Sequence, residues 1–159
     1  MQVAFHFNDY TRVDDMVSAV NDIRYGGHFP NMSAALAAVR SEVFLASNGA
    51  RQGSSVLRLA VLFATETPRS LRSMNLLEAR ATADEDIGIV TVGVGWVDHQ
   101  LLSTITSYPS NKNMFVVSSV RDVPSLSDPI KRIVCSGKFY SVALFYLCCT
   151  SFSWTSRLY

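Results

Sequence analysis

Cysteine is scarce in this 159-residue chain, with Cys135, Cys148 and Cys149 as its three copies. That number excludes a small domain stapled by a disulfide framework. Charge is sparse too: 14 Lys and Arg stand against 13 Asp and Glu, for a net charge of +1. No basic cluster exceeds two residues. The electrostatic footprint of a nucleic-acid binder is missing, so no nucleic-acid partner is expected. No apolar run reaches the ~18–20 residues of a membrane span. The first residues do not read as a basic-then-apolar leader.

Catalytic motifs are absent as well. No Gly-x-Ser-x-Gly elbow, phosphate-cradling Gly-x-x-x-x-Gly-Lys or His-Glu-x-x-His occurs. Gly93-Val94-Gly95 lacks the third glycine of a dinucleotide fingerprint. His6, His28 and His99 show no ligand spacing to one another or to cysteine. Glu85 and Asp86 precede an apolar run instead of following one. The expectation is a protein that is not an enzyme and carries no resident cofactor.

What the chain does have is apolar content, 48% against 17% charged, enough for a packed core. The length suits one domain. Residues 2–7 alternate loosely and predict a short strand. Val13, Val17, Val20 and Ile23 recur at helical spacing, and Gly26-Gly27 closes that amphipathic helix. Met32, Leu36, Val39 and Val43 predict a second helix reaching about Ser47. Residues 56–65 form a dense apolar run, as expected of a strand buried on both faces. Leu71, Met74, Leu77 and Ala81 mark the expected apolar face of a third helix. Residues 87–94 predict a second buried strand. Leu101, Leu102 and Ile105 predict a short helix, and residues 114–118 a further strand. Val123, Leu126, Ile130 and Ile133 predict a last helix. Alternation of this kind argues an α/β fold with a doubly wound, mostly parallel sheet flanked by helices. Residues 137–159 break the pattern with an apolar, aromatic and Cys-containing tail. Its acid-free run is shorter than the ~20 residues needed to cross a bilayer. Within it, residues 142–147 are apolar enough to serve as an added strand or a buried helix.

Several stretches in order resemble a von Willebrand factor type A domain of the kind found in matrix and collagen-associated proteins. Phe5-His6-Phe7-Asn8-Asp9-Tyr10 is similar to that family's third strand and its exit. Gly26-Gly27 leads into Asn31-Met32-Ser33-Ala34-Ala35-Leu36, where the family has a Gly-Gly-Thr-x-Thr-Gly-x-Ala-Leu loop opening a helix. Val61-Leu62-Phe63-Ala64-Thr65-Glu66-Thr67 resembles its apolar strand ending in Thr-Asp-Gly. Ile89-Val90-Thr91-Val92-Gly93-Val94-Gly95 resembles its Gly-Val-Gly strand, and Ile133-Val134-Cys135 its usual ending.

The resemblance divides the chain into a partial domain over residues 1–136 and the tail at 137–159. It implies an incomplete Rossmann-like sheet, lacking the family's first strand, first helix and second strand. It also implies a magnesium-dependent adhesion site at the carboxyl edge of the strands. The family builds that site from Asp-x-Ser-x-Ser, a loop Thr and the Asp of Thr-Asp-Gly. This chain departs at each point. Asp-x-Ser-x-Ser is absent, Met32 takes the Thr position, and Glu66 takes that of the Asp. A thioether is a poor ligand for a hard cation. Glu66 is thus either a remnant metal ligand or a carboxylate at the start of the next helix, and magnesium is not expected to bind. His28 lies in the loop beside that edge.

Asn31-Met32-Ser33 is an acceptor pattern for N-glycosylation in a secreted chain. Many relatives pair the cysteine at the position of Cys135 with one ahead of the first strand. Here Cys135 is left free, or pairs with Cys148 or Cys149. The expected role is a non-enzymatic protein-binding or adhesion domain of an extracellular matrix-type protein. The expected partner is a matrix or cell-surface protein, and the localisation extracellular. The alternative is a splice or gene-model fragment without autonomous activity.

Overall fold

The computed structural model describes residues 3–24, 31–53, 56–65, 67 and 72–135. The tail at 137–159 lies outside them. Six α-helices and three strands are described: α1 (Val13–Asn21), α2 (Met32–Ala38), β1 (Arg58–Ala64), α3 (Arg72–Asp84), β2 (Ile87–Val94), α4 (His99–Ile105), α5 (Ser110–Asn113), β3 (Met114–Val117) and α6 (Ser127–Cys135). The strands form a parallel sheet in the order β1-β2-β3. Parallel neighbours need crossover connections, which α3 provides from β1 to β2 and α4 with α5 from β2 to β3.

Every residue of the β2 sequence IGIVTVGV is buried, as its unbroken apolar run predicts. On one face of the sheet, Leu62, Ala64, Ile89 and Met114 pack with Met32 and Leu36 of α2, Ala79 of α3, and Leu101, Leu102 and Ile105 of α4. On the other face, Val61, Val92, Val94, Phe115 and Val117 meet Val123, Leu126 and Ile130. Where β3 has not yet begun, Ser107 closes the edge of β2. Its N–H donates to the Ile89 carbonyl at 2.9 Å, and its hydroxyl accepts from the Ile89 N–H at 2.8 Å.

Five local expectations change. Residues 3–7 form no strand. A strand needs a laterally bonded neighbour, whereas the Phe7 N–H donates to the Asn48 carbonyl, at the end of a 3-10 turn, at 3.1 Å and the Phe7 ring packs on Phe44. The second helix is not continuous: α2 gives way to a π-helical turn at Val39–Val43 and then a 3-10 turn at Ala46–Asn48. Arg40 in the π turn forms ion pairs with Glu78 and Glu85, clamping α2 to α3. The hydrogen bond to Glu78 is the main cause that raises the Arg40 pKa.

The third correction concerns α3, whose buried residues are Asn75, Ala79 and Thr82. Met74 and Leu77 are exposed, Leu77 by 67%. The Thr82 hydroxyl satisfies itself on the Glu78 carbonyl at 2.7 Å, so a polar residue faces the core at little cost. Likewise, α1 has no buried residue, and Val17, Val20 and Ile23 of its apolar stripe are exposed. The last helix begins later than expected, with a 3-10 segment at Val120–Leu126 ahead of α6.

Gly93 leaves room for Val97 and Leu102 against the sheet. A Cβ there would lie 2.7 Å from Val97 Cγ2 and 2.9 Å from Leu102 Cδ1. Val97 is β-branched and stiff, and Leu102 is fully buried. We expect Gly93→Ala to destabilise by ~1–3 kcal/mol through overpacking, measured as a lower urea midpoint at unchanged slope. Asn75 is fully buried, and neither side-chain polar atom has a hydrogen-bond partner among the described residues. We expect the similarly shaped Asn75→Leu to raise stability by ~1 kcal/mol, since an unpaired buried amide costs about that much. An unchanged or lower midpoint would contradict this.

Candidate functional site: the carboxyl edge of the strands

In an open parallel sheet the carboxyl ends of the strands point into one set of loops, where ligands commonly bind. Here that edge follows Ala64 of β1, Val94 of β2 and Val117 of β3. Three features organise it.

Asp98 comes first. It caps α4, with Oδ1 accepting from the Leu101 N–H at 2.9 Å. Its Oδ2 takes a 2.5 Å bond from the Arg72 guanidinium at the start of α3. Its own N–H donates to Thr67 Oγ1 at 2.7 Å, tying the exit of β1 to the entry of α4. The Leu101 hydrogen bond is the leading cause that holds the Asp98 carboxyl below its ordinary pKa, with the Arg72 charge adding to it.

The second feature is the start of α2. Asn31 caps it, accepting from the Ala34 N–H at 2.9 Å and the Ser33 hydroxyl at 2.8 Å. Met32 is 7% exposed, buried among Leu36, Leu101 and Ile105. The third is the exit of β2. Gly95 adopts φ +76°, and its N–H donates to the Val117 carbonyl at 2.8 Å. A residue with a side chain is strained in that conformation. The turn it makes projects Trp96, which is 100% exposed. Val120 is exposed at the start of the 3-10 segment that follows β3.

Octahedral magnesium requires several converging oxygens. The described donors do not fit that demand. Met32 presents sulfur to an apolar core, and both Asp98 oxygens are engaged. Among the described residues no three of His, Cys, Asp and Glu are grouped to hold a metal. Glu66 and His28 lie outside the described residues. His99 is exposed on the first turn of α4, and His6 lies 3.9 Å from Glu42, in the N-terminal segment packed on Phe44 and Asn48. The two described histidines thus sit on different elements, His6 in the N-terminal segment and His99 on α4. Sequence reasoning missed Trp96, Arg72 and Asp98. Asp98 carried a signal, an acid placed three residues before the buried Leu101 at a helix start.

A family model described as von Willebrand factor type A domain matches residues 1–129. Among solved structures, the chain is similar to proximal thread matrix protein 1 from the mussel byssus. One crystal form gives a TM-score of 0.68 at 17% identity, covering 79% of this chain and 32% of that one. The structure of that mussel protein with a zinc-occupied MIDAS motif gives 0.69 at 17% identity, covering 80% and 32%. The chain thus spans about a third of the length of the mussel protein.

Asp98→Ala removes both the cap and the ion pair, whereas Asp98→Asn keeps a good capping group. We expect the Ala variant to melt lower than the Asn variant, and both below the parent. Because the folded-state pKa lies below the ordinary 3.8, the Asp98 contribution is complete above that value. It is lost as pH falls through the lowered folded value. Thermal melts across that acid range should show the difference between parent and Asp98→Asn shrinking with falling pH.

Proposed function

The chain belongs to the von Willebrand factor type A domain family, and from that premise we propose that it is a non-enzymatic, protein-binding domain of an extracellular matrix-type protein, one that holds its partner without a metal ion. Family membership and the fold shared with a byssal matrix protein support the adhesive role. The domain proper takes in residues 1–136, with 137–159 as a distinct tail. On this reading Met32 stands where the family places a ligating Thr, and Glu66 where it places an Asp. The burial of the Met32 thioether and the commitment of Asp98 to Arg72 and Leu101 support metal independence.

The observation that carries the reading is Trp96. A fully exposed indole on a turn fixed by the Gly95–Val117 hydrogen bond is poised to be buried by a partner. Tryptophan has the largest apolar surface of any side chain and dominates interface hot spots. Its turn is held by the sheet, so little ordering entropy is lost on docking. The partner is a matrix or cell-surface protein, met outside the cell.

The test is binding to a panel of purified matrix proteins, fibrillar collagen first, in magnesium and in EDTA. The expected result is equal affinity in both, with Trp96→Ala weakening binding at least ~10-fold, the scale of a hot-spot residue. Binding seen only with magnesium would overturn metal independence. Full affinity in Trp96→Ala would remove the strand-edge surface from the reading.

A further inference from the structure

Asn31-Met32-Ser33 is the sole Asn-x-Ser/Thr triplet in the chain. The fold treats the two ends of the Asn31 amide differently. Oδ1 caps α2, accepting from the Ala34 N–H at 2.9 Å and from the Ser33 hydroxyl at 2.8 Å, which engages both of its lone pairs. Nδ2 donates to none of the described residues, and Asn31 is exposed. We propose that Asn31 is an N-glycosylation site, taking an oligosaccharide onto Nδ2 from a lipid-linked oligosaccharide pyrophosphate. That donor is met in the secretory route, so the site rests on the extracellular reading above.

In the transfer, Nδ2 attacks the anomeric carbon of the first sugar. The bond from that carbon to the pyrophosphate oxygen breaks, and the lipid pyrophosphate leaves with the electron pair. One amide proton passes to a base of the transferase, and nothing is oxidised or reduced. The new C–N bond replaces one of the two N–H bonds of Nδ2 and leaves Oδ1 as it was. The cap on α2 therefore survives the modification, and an exposed position leaves the bulky sugar in solvent.

The structure also sets the order of events. The Ser33 hydroxyl that completes the triplet is turned onto Asn31, on a residue only 3% exposed. A transferase that must engage this hydroxyl reaches it before α2 closes, so the glycan is added to the nascent chain. Asn31 opens α2, one of the three features of the strand edge. The glycan thus borders the surface proposed for the partner and narrows the approach to it.

The full chain is secreted from cultured animal cells behind a cleavable leader, so that its entry into the secretory route does not depend on the extracellular reading. Where the endogenous protein accumulates tests that reading separately. The expected result is one glycan per chain, released by peptide:N-glycosidase, with release in heavy-oxygen water labelling position 31 alone. Asn31→Asp keeps a good capping group, and Ser33→Ala keeps the Asn31 acceptor for the Ala34 N–H. Both variants should be secreted and should lose the glycan completely. Parent chain folded without the glycan, then mixed with solubilised transferase and lipid-linked donor, should stay unmodified, whereas translation into microsomes should modify it. A secreted parent bare at Asn31, a glycan that persists in Ser33→Ala, or full modification of the prefolded chain would each overturn the proposal.

Discussion

The structure depends on the double burial of β2. A strand covered on both faces can satisfy its backbone only through its two edges, and it does so with β1 on one side and β3 plus Ser107 on the other. That requirement fixes the parallel register and so places all three strand ends at one edge of the sheet. Gly93 is part of the same constraint. Its missing side chain lets Val97 and Leu102 close on the sheet, which brings α4 and its Asp98 cap up against the exit of β1.

The described part of the edge is thereby made of committed groups. Arg72, Asp98, Thr67 and Leu101 form one connected polar set joining α3, α4 and the end of β1. A carboxylate held by a guanidinium and a helix N-terminus stabilises the loops it joins and has little left to offer a cation. Beside it, Met32 fills with a thioether the space at the head of α2. Among the described residues, the edge combines this ion pair with an apolar surface, and Trp96 is its most accessible large side chain.

The parts legible from sequence are those where burial is total. The β2 run and the Leu101, Leu102 and Ile105 stripe of α4 admit only one reading, because every apolar residue there is needed inside. Partial burial defeats periodicity. The Met74–Leu77 stripe of α3 has regular helical spacing, yet α3 turns Asn75, Ala79 and Thr82 inward to pack on its neighbours. The stripe of α1 is equally regular and equally exposed. Residues 3–7 have strand-like alternation, but pairing is a property of two segments and cannot be read from one. At the candidate site, the burial of Met32 was legible because it falls on the apolar stripe with Leu36. The Arg72–Asp98 pair was not, since 26 residues separate its members and only the fold brings them together.

The exposure of Trp96 also has an optical consequence. Indole emission shifts with the polarity around the ring, and this ring is as hydrated in the folded chain as in an unfolded one. Its fluorescence is therefore nearly silent about the collapse of β2 and sensitive to anything that settles over the strand edge. With Trp154, the chain's other tryptophan, replaced by phenylalanine, the spectrum of this protein becomes a report on company kept, separate from the report on folding that circular dichroism supplies.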